Sequence, residues 1–215
     1  MMAVLTFVFT KIFPSSIPNF PVFVLCGIVP FSFFTVAWGS ATGSIVDSAG
    51  LIKKMQVPRE SFPIASVLST CLHLGIQIAL LLAIALASGI RITDKWLWLP
   101  VLWLLELIFT CGAALASSGL NVYIRDTRYV VDSINTVLFW MVPIFYPFSV
   151  IPARFAEMYQ YNPIAALVLG MRQVILENSA PSSTLLYKAV LVSFVSLGIG
   201  LLVFERLKDR FYDHL

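Results

Sequence analysis

The chain has 215 residues, 59% of them hydrophobic and 12% charged, with a mean hydropathy of +0.91 and a net charge of +3. Soluble domains carry about 25% charged residues, and surface-to-volume scaling leaves too much of this apolar surface outside any 215-residue soluble fold. Lipid is therefore the solvent for most of the chain, and the small cation excess, with no basic patch, excludes nucleic acid as a partner.

A helix needs about 20 apolar residues to cross a hydrocarbon core of about 30 Å. Residues 1–13 are apolar but too short, and they lack the basic start and small-residue cleavage site of a signal peptide. They read as the outer part of a first span whose beginning is missing. Five further stretches are long enough: Val22–Val46, Phe62–Ser88, Leu97–Val122, Ile134–Ile151 and Leu185–Phe204. The expected fold is a single all-α integral membrane domain over 1–215, with six spans of which the first is incomplete.

The positive-inside rule orients the spans. The Gly50–Glu60 loop, the Tyr123–Asp132 loop and the Glu205–Leu215 tail fall on one side together. They carry Lys53, Lys54, Arg59, Arg125, Arg128, Arg206, Lys208 and Arg210. Lys11, Arg91, Lys95, Arg154, Arg172 and Lys188 lie on the other side, spread over more residues. The tail and the Gly50–Glu60 loop are expected to be cytoplasmic. Residues 152–176 are apolar enough to enter the membrane but too interrupted to cross it. Pro152 and Pro163 each suit a helix start, so two short helices dipping back into the outer leaflet are expected; an external loop with one surface helix is the alternative. Re-entrant backbone is tolerated only where protein or a water-filled cavity covers it.

Catalytic groups are sparse. The sequence has no GxxxxGK[ST], HExxH or GxSxG, and no carboxylate pair at helical spacing within a span. Cys26, Cys71 and Cys111 sit in apolar runs without metal-ligand spacing and read as small buried hydrophobes. His73 and Gln77 share a helix face. Glu106 is an acid inside a span, a functional candidate by default; its plainer reading is a side chain that reaches the outer headgroups or pairs with an interfacial cation. Gly39 and Gly43 form a GxxxG, the spacing that lets helix backbones approach closely, and ordinary packing within the chain is expected. Phe34, Trp38, Trp140 and Tyr146 belong to dense aromatic clusters. Interfacial belts account for such clusters; rings lining a path for a sugar polymer are the sharper reading.

Four segments together resemble the permeases of type-2 ABC exporters. They are Leu51-Ile52-Lys53-Lys54-Met55-Gln56-Val57-Pro58-Arg59-Glu60 with Pro63, Asn121-Val122-Tyr123-Ile124-Arg125-Asp126, Trp140-Met141-Val142-Pro143-Ile144-Phe145-Tyr146-Pro147, and Tyr161-Asn162-Pro163 followed by Arg172. They occur in the family's order across nearly the whole chain, and the subgroup that exports lipid-linked polysaccharide (O-antigen, capsule or teichoic acid) fits best. The chain departs from the pattern at its incomplete first span and at Gly50, where asparagine is frequent.

The resemblance implies a transport permease, not an enzyme, in the bacterial inner membrane. Two copies would form the pore, and two copies of a separate ATP-binding cassette subunit would bind the ATP, so this chain holds no cofactor and no metal. Leu51, Ile52 and Met55 would dock in the ATPase, with Lys53 and Lys54 at its rim. Pro58 would end that element, with Arg59 and Glu60 completing the loop. Arg125 and Asp126 would guard the entrance for a pyrophosphate-linked lipid. Phe34, Trp38, Trp140 and Tyr146 would line the path, and Asn162, Pro163 and Arg172 would shape the re-entrant region. The alternatives are export of a small hydrophobic compound by the same family, or a membrane-bound glycan-modifying enzyme, which needs a carboxylate or histidine cluster.

Overall fold

A computed structural model describes residues 19–54, 57–152, 154, 159, 161–208 and 211. The regular elements among them are all helical: α1 Phe20–Asp47, α2 Ala49–Ile52, α3 Ser61–Ala87, α4 Trp98–Tyr123, α5 Thr127–Met141, α6 Pro163–Ile175 and α7 Ser183–Lys208. Short 3-10 turns at Asp94–Leu97 and Phe148–Val150 precede α4 and follow α5. Four helices are long and apolar enough to cross a membrane: α1, α3, α4 with its leading turn, and α7. Each agrees with an expected span to within a few residues. The expected partial span at 1–13 lies outside the described residues.

Helix α1 is the centre of the bundle and packs against α3, α4, α5 and α6, while α7 packs chiefly on α4. The flanking helices α3 and α7 turn apolar side chains outward, among them Leu72, Ile76 and Leu80 on one and Phe194, Ile199 and Leu202 on the other. Two outward-facing apolar helices are stable in lipid and not in water.

The fifth expected span is displaced. Instead of one helix over 134–151, α5 begins at Thr127 and ends at Met141. Arg128, Asp132 and Ser133 made its first two turns look like loop, yet they lie on the exposed side of an amphipathic helix. Its end is set by Pro143, which has no amide hydrogen and pushes Val142 to extended backbone (ψ 132°). The chain then runs without helix to Pro147.

The second expected re-entrant helix is α6. Pro163 occupies its first turn, and the Asn162 side chain accepts from the backbone amides of Ile164 (3.1 Å) and Ala165 (3.4 Å), two of the donors a helix start leaves orphaned. Eleven of its thirteen residues are buried, so it is a core helix covered by α1, α4 and α7, unlike the surface helix of the alternative. Most of 152–160, where the first re-entrant helix is expected, lies outside the described residues.

The close helix approach falls elsewhere than the GxxxG. A Cβ at Gly39 would meet nothing within 4 Å, and one at Gly43 would meet side chains of Asp47 and Arg128. A Cβ at Gly112 of α4 would instead overlap the backbone of Ser196 and Leu197 in α7, and one at Gly200 would overlap the backbone of Gly112. Polar pins hold α1 to its neighbours: the hydroxyls of Thr42 and Ser117 lie 2.8 Å apart, and Trp38 Nε1 donates to Ser117 Oγ at 3.1 Å.

Candidate functional site

The loop after α1 has two faces. Leu51 is 49% exposed, and Lys53 and Lys54 are exposed beside it. Ile52 is 3% exposed and packs in a cluster with Ile45, Leu115, Val122, Phe204 and Phe211. Met55 lies outside the described residues. Beyond the exposed Pro58, Arg59 and Glu60 reach the end of α7. Lys208 Nζ lies 3.1 Å from Glu60 Oε1 and 3.6 Å from Glu205 Oε1, while an Arg59 guanidinium nitrogen donates to the Lys208 carbonyl. The Glu60 carboxyl is held below the usual carboxylate range by its own backbone amide and by Lys208. Tyr123, at the end of α4, donates its hydroxyl to the Leu207 carbonyl at 2.7 Å.

A groove runs along α5. Its first part is a shallow, open depression on the outer face of α5, bordered by Asp126, Tyr129, Val130, Ile134 and Val137. Leu138 and Met141 are shared with a second cavity of about 400 Å³, which continues to Phe109, Tyr161, Asn162 and Pro163. Asp126 and the Asn162–Pro163 turn thus border two adjoining, mostly apolar depressions that share Leu138 and Met141. Val130, Ile134, Val137 and Met141 all face out of the chain, at spacings that place them on one side of a helix.

Beyond the end of α5 the chain is held by Arg172. Its guanidinium donates to the carbonyls of Ile144 (2.8 Å), Tyr146 (3.4 Å) and Phe23 (3.4 Å), and Cζ lies 3.5 Å from the centre of the Phe23 ring. Arg172 is 4% exposed. Buried cations require such partners, and here the partners include two carbonyls freed where α5 breaks off.

Residues 1–176 match the ABC-2 type transporter family. The chain belongs to that family. It is 29% identical over 210 residues to the O-antigen export system permease protein RfbA of Klebsiella pneumoniae, an alignment covering 97% of this chain and 81% of that one. The namesake permease of Myxococcus xanthus is 27% identical over 216 residues, covering 100% and 83%. The polysialic acid transport protein KpsM of Escherichia coli is 24% identical over 188 residues, covering 87% and 73%.

In this ABC-2 type protein the expected site residues divide into exposed and packed sets. Leu51, Lys53, Lys54, Pro58, Arg125, Asp126 and Trp140 are exposed. Phe34 is 1% exposed, stacked on Phe109 at 5.3 Å and 5.1 Å from Trp38, and thus forms part of the protomer's core. Half-buried Trp38 hydrogen-bonds within the same core. Tyr146 donates to the Trp140 carbonyl at 3.3 Å. Glu106 is fully buried with no hydrogen-bond partner on either carboxylate oxygen, so it neither reaches headgroups nor pairs with a cation among the described residues. The α5 stripe went unrecognised as groove wall. Its spacing is present in the sequence, but the charges between its members read as loop. Among the described residues no group of three or more His, Cys, Asp and Glu could hold a metal.

Proposed function

We propose that this chain is the membrane subunit of an ABC exporter for lipid-linked polysaccharide in the bacterial inner membrane, with its tail cytoplasmic. Two copies form the pore and two copies of a separate ATPase drive it. The observation that supports this reading is the row of outward-facing apolar residues along α5, which continues into a pocket at Asn162 and Pro163 and is open to a second copy or to lipid-linked cargo. The names of the relatives supply the cargo class. Arg125 meets phosphate oxygens at the entrance, where a guanidinium fork fits them. Trp140 presents a ring at the other end.

The two adjacent apolar residues of the loop differ in exposure: Leu51 is half exposed, and Ile52 belongs to the chain's own core. On this reading Leu51 is the apolar anchor for the ATPase. Leu51→Asp is therefore expected to leave the protein inserted and the partner hydrolysing ATP while glycan export falls about tenfold, the effect of losing one interface anchor of about 1.4 kcal/mol. Ile52→Asp is expected to lower the amount of folded protein, because it buries a charge without a partner. Unchanged export with Leu51→Asp would remove the loop from the coupling path.

Orientation is tested separately. A cysteine at Gly50 is expected to react with an impermeant thiol reagent only from the cytoplasmic side, and one at Ser182 only from outside. Labelling of both from one side would overturn the arrangement of spans.

A further inference from the structure

Arg59 and Glu60 do not end a loop that hangs free. Both grip one residue: Glu60 through the Lys208 ammonium at 3.1 Å, and Arg59 through the Lys208 carbonyl. The carbonyls of Lys208 and of its neighbour Leu207 both accept from side chains of other segments. Arg59 supplies one donor and the Tyr123 hydroxyl supplies the other, to Leu207 at 2.7 Å. Phe211 closes the assembly: its ring lies 5.5 Å from Phe204 and 6.1 Å from Tyr123, with the Arg59 guanidinium 5.8 Å from its centre. Ile52 is in the same cluster as Phe204 and Phe211.

We infer that Lys208 is a positioning residue of the coupling loop, tying it to the end of α7 so that displacement at Leu51 is delivered to the α4–α7 pair. This rests on the loop being the ATPase contact. The exposed Leu51 is the receiving side, and Ile52, Arg59 and Glu60 are the delivering side. The α4–α7 pair is the element able to receive the movement as one body, because at Gly112 and Gly200 the two backbones touch with no side chain between them to yield. The bridge is partly exposed (33% and 29% for the two side chains), so it is suited to fixing register and contributes little to stability.

The test uses the full chain with its own ATPase subunit in proteoliposomes, reading glycan moved per ATP hydrolysed. Lys208→Glu and Glu60→Lys each set like charges face to face. Each is expected to lower that ratio about threefold, the scale of a partly exposed ion pair, with copurification of the ATPase unchanged. The double exchange, which restores opposite charges, is expected to recover at least about half of the loss, and Lys208→Arg to behave as the parent. Should a charge variant fail to insert, Tyr123→Phe removes only the hydroxyl on the Leu207 carbonyl and is expected to lower the ratio in the same direction. A parental ratio in the single variants, a double exchange no better than the singles, or loss of ATPase copurification would each overturn the inference. Leu51→Asp is measured alongside. If it uncouples while the Lys208 variants do not, this inference alone fails; if none of them uncouples, the loop reading fails with it.

Discussion

Gly112→Ala is expected to deplete the folded protein from the membrane, whereas Gly39→Ala is expected to leave it at parental level. The two substitutions add the same methyl group to glycines inside spans. At Gly39 the methyl would meet nothing within 4 Å, and alanine is the better helix former by about 1 kcal/mol. At Gly112 the methyl would collide with the backbone of Ser196 and Leu197, and Gly200 offers its own backbone to Gly112 from the other side. Overpacking a core usually costs about 1–3 kcal/mol because side chains at the contact can shift. Here the obstruction is main chain on both helices, so α4 and α7 must part along their length, and a cost of at least about 3 kcal/mol is expected. In lipid there is no hydrophobic force between helices to make up for lost van der Waals contact. The Ser196 hydroxyl bond to the Phe109 carbonyl, 3.2 Å, would go with it. Thermal unfolding in detergent and yield from membranes measure the effect. A Gly112→Ala protein melting with the parent would show that the contact is looser than the backbone geometry requires.

The long apolar helices were legible in the sequence because lipid imposes one simple demand, about 20 apolar residues in a row, and α1, α3, α4 and α7 are long and apolar enough to meet it. Helix α5 was misplaced because its amphipathic start mixes groove-facing Val130, Ile134 and Val137 with charged positions, and a hydropathy reading averages the two. Its end was legible in principle, since Pro143 and Pro147 forbid a continuous helix to Ile151. Which glycines make a close helix contact was not legible. The GxxxG of α1 and the isolated Gly112 and Gly200 differ only in what a second helix brings opposite them, and that is a property of the tertiary arrangement.

The motifs were easier to recognise than to interpret. Leu51 and Ile52 are adjacent and chemically alike, yet one is half exposed and the other buried against the end of α7. No local pattern separates them, because α2 is a single turn whose facing is set by residues more than 150 positions later. Phe34 and Trp140 are likewise both aromatic residues within apolar runs, but only Trp140 is presented outward. Arg172 was expected to shape the re-entrant region, but what it would hold was not legible. Its partners come from the ends of α1 and α5, and a spacing in one segment cannot announce carbonyls in two others.

Arg172→Leu is expected to cost about 3 kcal/mol or more and to abolish export, with Arg172→Lys intermediate. The guanidinium is buried and planar, and it serves three carbonyls on two segments with Cζ 3.5 Å from the centre of the Phe23 ring. Leucine would fill part of the space but leave the Ile144 and Tyr146 carbonyls, which lie outside any helix, without their donor. Each such loss costs about 1–3 kcal/mol when buried, and the desolvated ring contact adds up to about 2 kcal/mol. Lysine keeps the charge but delivers it from a single point and cannot span both carbonyls and the ring. The damage should be local at first. Within Val142–Pro147, Ile144 packs on Gly27 of α1, where a Cβ would stand 3.0 Å from Ile144 Cα, so freeing the stretch loosens that contact first. Thermal unfolding of the purified variants, read beside glycan export and basal ATP hydrolysis by the partner, separates the effects. The expected order is parent, Arg172→Lys, Arg172→Leu in both stability and export, with ATP hydrolysis spared wherever the protein still folds, because none of the Arg172 partners belongs to the loop proposed to contact the ATPase. An Arg172→Leu protein as stable as the parent would mean that the broken backbone after Met141 is held by something other than this one side chain.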